Sequence, residues 1–224
     1  MLEAIYLPKL NNLTPTLDST LLKAMEEAGE LARAVLNFML WENLSPEELT
    51  KQPQALVFLA DVKEELLDVA QTCVTMIFVM EDSFGIAADS LIGEHLGKLS
   101  DKGYSYDDRQ SYRIATVENP QGGNYKCISL PHLEIANVTL LTTVCKIQEE
   151  LGELTQFLGK HAGASGEKNR LDSNEVNKGA ALELLDVAQC CFTMMYILAE
   201  RHAVNIPELV AGHVSKLRRK GYCR

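Results

Sequence analysis

A chain of 224 residues, 46% of them hydrophobic, can bury the core of one or two compact domains, and its 6% aromatic content favours helix over sheet. Its 21 basic and 31 acidic residues give a net charge of −10, which excludes the basic surface that binding a nucleic-acid polymer requires. The same acidity suits bound divalent cations, which reverse the local sign.

The N-terminal MLEAIYLPKL carries an early acid and no basic-then-apolar leader. Unbroken apolar runs are well short of the roughly 20 residues a membrane helix needs. The six cysteines form no CxxC pair, and several sit in apolar helical stretches, as reduced thiols do. These features predict a soluble, cytoplasmic protein with no membrane partner.

In chain order, the periodicity predicts a first helix over 17–40, with Leu21, Leu22, Met25, Ala28, Leu31, Ala32 and Val35 as its apolar face. SPEEL at 45–49 marks a helix start, with Ser45 as N-cap, Pro46 at N1 and Glu48 closing a capping box. A long helix follows over 55–81, apolar on nearly every side, so neighbours must cover it all round. A further helix over 87–102 ends at Gly103, in the position after the cap that favours glycine. The polar segment 105–127, containing PQGGN, reads as a linker; within it YRIATV is either a short strand or extended surface chain.

The chain then repeats itself. LPKL at 7–10 returns as LPHL at 130–133, and KAMEEAGEL at 23–31 as KIQEELGEL at 146–154. ELLDVAQTCVTM at 65–76 returns as ELLDVAQCCFTM at 183–194, and HLGKLSDKGY at 95–104 as HVSKLRRKGY at 213–222. Four blocks in one order define two repeats, 1–104 and 128–224, differing by a length change between the second and third blocks. The second repeat has the same helical plan, with a glycine-rich, mobile connection at 159–179. One repeat has too few helices to cover its long apolar helix. The two are therefore expected to pack together as an all-α, pseudo-two-fold bundle, an intramolecular pseudo-dimer. Whether two chains associate further is left open.

The repeated blocks concentrate carboxylates. Glu27 and Glu30 share a helix face at i, i+3 spacing, and Glu65 and Asp68 repeat that spacing on the long helix. Side by side, these helices would converge four hard oxygen ligands, suited to Mg²⁺ or Mn²⁺. Glu150, Glu153, Glu183 and Asp186 form the matching set. A single EExxE is commonly a solvated face. Asp68 and Asp186 shift that balance, because each lies in an apolar helix where an unpaired carboxylate is costly. No Glu has a His three residues later, so the Glu-x-x-His pattern of di-iron bundles is missing.

EEAGE (26–30) with ELLD (65–68), EELGE (149–153) with ELLD (183–186), and the KGY endings together resemble the MazG-like all-α nucleoside triphosphate pyrophosphohydrolases. That superfamily includes the dimeric dUTPases and phosphoribosyl-ATP pyrophosphatase. The resemblance spans both repeats and implies a tandem, internally fused dimer. It implies Mg²⁺-dependent hydrolysis of a nucleoside triphosphate to the monophosphate and pyrophosphate, a nucleotide-pool house-cleaning activity. Glu27, Glu30, Glu65 and Asp68 would hold Mg²⁺, with Glu150, Glu153, Glu183 and Asp186 doing so in the second repeat. Glu26 and Glu149 would orient or deprotonate the attacking water. Lys98, Lys102, Lys216 and Lys220 either grip phosphate oxygens or complement helix C-terminal dipoles. The alternative is a non-catalytic helical module that binds nucleotide or metal, or that serves assembly. Thirty-four residues separate the two acidic motifs in the first repeat and 29 in the second, longer than the family pattern. Trp41 has no aromatic counterpart in the second repeat, and it either stacks on a base or packs beside its own helix.

Overall fold

The computed structural model describes residues 5–11, 13–118, 124–163 and 172–223. Seven α-helices account for most of them: α1 (Leu17–Phe38), α2 (Pro46–Leu49), α3 (Pro53–Phe84), α4 (Ala88–Asp101), α5 (Leu140–Ala162), α6 (Ser173–His202) and α7 (Ile206–Arg219). Three short strands, β1 (Leu7–Pro8), β2 (Ile114–Glu118) and β3 (Asn124–Ile128), form an antiparallel sheet in the order β1-β3-β2.

Local chemistry sets the ends of these elements. Thr16 and Thr139 cap α1 and α5 by accepting from the backbone N–H three residues on. The expected capping box at Ser45 is present, with Ser45 N–H donating to Glu48 Oε2 at 2.8 Å. The helix expected over 55–81 runs from Pro53 to Phe84 and stops at Gly85, whose φ of +67° is left-handed.

α1 differs from the face read in the sequence. Leu22 and Met25 are exposed, at 70% and 52%, while Ala24, Glu27, Ala28, Leu31, Val35 and Phe38 are buried. Apolar residues outnumber the positions of one stripe on this helix, so periodicity alone does not choose between adjacent faces. The face that is chosen turns Glu27 inward.

α3 and α6 lie against each other at the centre. α1 packs along α3, α5 along α6, and α1 also meets α5. The short last helices cross over: α4 packs on α6, and α7 on α3. A single continuous apolar cluster joins Leu31, Leu66 and Phe78 to Leu151, Leu184 and Phe192. α6 is long and apolar enough, by length and composition, to cross a membrane, yet 83% of its most apolar stretch is buried inside the fold. All six cysteines are free.

Two connections differ from the sequence reading. The segment read as a 105–127 linker contributes β2 and most of β3, with Cys127 and Ile128 buried and paired to Ala115 and Ile114. β1 joins the opposite edge of β3 through Leu7 and Ile128. The connection read over 159–179 is shorter, because α5 continues to Ala162 and α6 begins at Ser173 under an Asp172 cap. Its central residues, 164–171, and residues 119–123, which hold all of PQGGN but its asparagine, lie outside the described residues.

Candidate metal centre and adjoining cavity

The ELLDVAQ block places Glu65, Asp68 and Gln71 on one face of α3 at successive i, i+3 steps, and Glu183, Asp186 and Gln189 on α6 likewise. Both glutamines are buried and donate to a proline carbonyl, Gln71 to Pro8 and Gln189 to Pro131, each at 2.9 Å. The repeated LPxL segments are thereby clasped to the repeated long helices.

The KGY blocks are equally specific. Gly103 and Gly221 have φ of +81° and +78°, and their N–H groups donate to Ser100 and Arg218. The next N–H groups, of Tyr104 and Tyr222, reach back to Leu99 and Leu217, completing a Schellman ending on α4 and α7. Only a residue free to adopt positive φ closes the helix this way, and the closure carries the tyrosine and the preceding lysine to a cavity wall.

Two acidic clusters result. One oxygen from each of Glu150, Glu183 and Asp186 lies within 4.8 Å of the others, and the same holds for Glu27, Glu30 and Glu65. Each cluster thus gathers three of the four expected acids, and not the same three. Glu153 is exposed and stands outside its cluster, whereas in the first repeat the outlying acid is Asp68. Asp68 instead pairs with Lys216 at 2.6 Å, and Lys216 also holds Glu64 at 2.7 Å. Glu26 and Glu149 are on the exposed flank, facing Lys23 at 3.2 Å and Lys146 at 3.0 Å. The same lysines reach Glu27 at 2.5 Å and Glu150 at 2.6 Å.

Lys98 ion-pairs with Asp186, and His95 Nδ1 lies 2.9 Å from Asp186 Oδ1 without the alignment of a hydrogen bond. Each cluster is therefore attended by the last helix of the other repeat, α4 at Asp186 and α7 at Asp68. Lys102 and Lys220 are exposed and line the adjoining cavities.

The electrostatics follow from crowding and burial. Burial, reinforced by Glu30, Asp68 and Glu27, pushes the Glu65 carboxyl up to about 6. Burial pushes Glu183 up to about 7 although Lys98 pulls the other way. Burial also opposes ionisation of Asp186, but His95 and Lys98 outweigh it and hold that carboxyl below its usual range. Burial drives His213 down to about 4.

Glu150 Oε2 and Glu183 Oε2 are buried without hydrogen-bond partners. Such acceptors are costly to strand. The donor set is wholly carboxylate oxygen, and it fits a hard divalent cation such as Mg²⁺ or Mn²⁺.

A cavity of about 340 Å³ adjoins the Glu150 cluster, with Leu99, Lys102 and Tyr104 on one wall and Leu133, Ile135, Val138 and Thr143 on another. Its counterpart beside Glu27 and Asp68, about 300 Å³, is lined by Leu217, Lys220 and Tyr222 with Leu10, Leu13 and Thr20. Trp41 lies in neither; it packs on Phe58 of α3 with ring centroids 5.3 Å apart. The sequence reading did not assign Gln71, Gln189, His95, Tyr104 or Tyr222 to a site. Their signal was present, since all five recur within the repeated blocks, but their partners are remote in sequence.

Comparison of the chain with protein-family models, with curated proteins and with solved structures found no match.

Proposed function

We propose that this protein is an Mg²⁺-dependent nucleoside triphosphate pyrophosphohydrolase, converting a (deoxy)nucleoside triphosphate to the monophosphate and pyrophosphate, built as a fused pair of MazG-like repeats. The observation that carries this reading is a cavity lined by Glu150 and Asp186 of the carboxylate trio and by Lys102 of the opposite repeat, with Lys98 of that repeat paired to Asp186. A triphosphate needs both signs: acids to hold the cation and ammonium groups to meet the phosphate charge.

Glu150, Glu183 and Asp186 would hold the cation in one site, and Glu27, Glu30 and Glu65 in the other. When bound, Mg²⁺ supplies charge neutralisation at phosphate oxygens and lowers the pKa of water. Lys102 approaches from the facing wall and Lys98 from its ion pair with Asp186, and both bind phosphate oxygens, Lys98 exchanging that pair for a phosphate. Lys216 and Lys220 do the same beside Asp68. Leu133, Ile135 and Val138, with Leu99 across the cavity, supply the apolar lining that receives the nucleoside and excludes water.

The pseudo-two-fold arrangement is supported by matched features in the two halves. These are the glutamine–proline clasps, the Schellman endings and the reciprocal crossing of α4 and α7.

The test is incubation of the full chain with a panel of ribo- and deoxyribonucleoside triphosphates and Mg²⁺, with pyrophosphate and monophosphate measured. Release of both, abolished by chelation, is expected. No pyrophosphate from any nucleotide, together with no metal-dependent rise in melting temperature, overturns the reading.

A further inference from the structure

In the second repeat a series of close contacts runs from the backbone to the acidic cluster. Gln189 donates its amide N–H to Pro131 O, which turns its Oε1 toward His95 Nε2 at 3.4 Å. With that orientation fixed, Nε2 must carry a hydrogen and donate it. The other ring nitrogen, Nδ1, lies 2.9 Å from Asp186 Oδ1. Gln189, His95 and Asp186 are 3%, 1% and 6% exposed, so each has little freedom to turn elsewhere.

The first repeat starts the same way and stops. Gln71 donates to Pro8 O at 2.9 Å, but Gln71 Oε1 and His213 Nε2 are buried without partners. His213 Nδ1 is 3.8 Å from Asp68, against 2.9 Å for His95 and Asp186, although a lysine of the opposite repeat pairs with each aspartate. Asp68 is also the acid missing from its cluster, whereas Asp186 is present in the other. Where the contacts are complete, the aspartate is gathered in.

The open acceptors fall on the same side. Glu150, 3% exposed, keeps Oε2 without a partner, as Glu183 does. Among the described residues, no buried oxygen of Glu27, Glu30 or Glu65 is stranded in this way.

We propose that the two clusters are inequivalent cation sites: Glu150, Glu183 and Asp186 take a divalent cation first, and Gln189 and His95 are the positioning residues that hold Asp186 in that set. The proposal rests on the metal-dependent reading above and names which half of the molecule is loaded first. Groups that orient a ligand typically alter metal affinity by about 10–100-fold when removed.

The test titrates the full-length protein with Mn²⁺ and follows the free ion by electron paramagnetic resonance. Wild type is expected to show one tight and one weaker class of site. Gln189→Met and His95→Asn should each weaken the tight class about tenfold or more. Gln71→Met loses the same kind of buried bond to a proline carbonyl, yet should leave the tight class in place. Circular dichroism checks that each variant folds; if His95→Asn does not, the two glutamine variants decide the matter. Two classes of equal affinity, or equal weakening of the tight class by Gln71→Met and Gln189→Met, overturn the proposal and leave metal dependence standing. No Mn²⁺ binding to wild type overturns both.

Discussion

Lys216 of α7 pairs at 2.6 Å with Asp68 of α3, 148 residues earlier in the chain. The corresponding pair, Lys98 with Asp186, ties α4 to α6. Each ion pair fastens one repeat to the other and brings a cation to an acidic face.

Breaking the first pair from one side should cost stability. Lys216→Met leaves Asp68, partly buried beside Glu65, without its cation, and an unpaired carboxylate there costs about 1–2 kcal/mol. Urea unfolding should report this loss, and adding Asp68→Asn to Lys216→Met should restore a large part of it. A double variant no more stable than Lys216→Met would show that the charge on Asp68 is not the source.

The two aspartates should differ in their effect on turnover. Asp186→Asn together with Asp68→Asn is expected to abolish pyrophosphate release while leaving the helical circular dichroism unchanged. Asp186→Asn alone should remove the larger share, because Asp186 belongs to its cluster and Asp68 stands apart. Initial rates at saturating Mg²⁺ and triphosphate measure both.

Stability should depend on pH through Glu183. Its carboxyl is raised from 4.5 to about 7, so folding favours the protonated form. That contribution is complete below pH 4.5 and is lost as pH rises through 7. His213, lowered from 6.5 to about 4, works in the opposite sense as pH falls, so the comparison must be made with a variant. Without divalent metal at pH 8, Glu183→Gln should be more stable than wild type by about 1–2 kcal/mol, allowing for the half-buried side chain. The two proteins should converge near pH 4.5 in thermal melts. Mg²⁺ at pH 8 should raise the melting temperature of wild type more than that of Glu183→Gln.

The glutamine clasps should be structural as well as positional. Gln71→Leu and Gln189→Leu each remove one buried bond to a proline carbonyl and strand that acceptor, at a cost of about 1–2 kcal/mol. Hydrogen exchange at Lys9, whose N–H pairs with Lys126 O in the sheet beside Pro8, should quicken in Gln71→Leu.

Much of this architecture was legible in the repeated blocks, because local chemistry writes itself locally. Ser45 with Glu48, and Gly103 before Tyr104, specify their turns within a few residues. The i, i+3 spacing of Glu65 and Asp68 specifies a shared helix face. What was not legible depends on distant partners. Met25 is as apolar as Leu31, and only the packing of α1 on α3 turns one outward and the other inward. Asp68 and Asp186 sit in identical ELLDVAQ blocks and each pairs with a lysine, yet only Asp186 also joins a carboxylate trio. Their difference arises in α7 and α4, more than eighty residues away from each in sequence. The strand at 114–118 was legible only as one of two alternatives, because its pairing partner, 124–128, is a separate stretch of the sequence.

The crossing of α4 and α7 has a consequence for how this protein can be divided. Expressing the parts on either side of 105–127 separately would give two helical fragments, and neither would carry both an acidic cluster and the lysine and tyrosine set against it. The first would keep Glu27, Glu30 and Glu65 without Lys216 and Tyr222, and the second would keep Glu150, Glu183 and Asp186 without Lys98 and Tyr104. If the proposed activity holds, each half supplies what the other lacks, and an active fragment is expected to contain both.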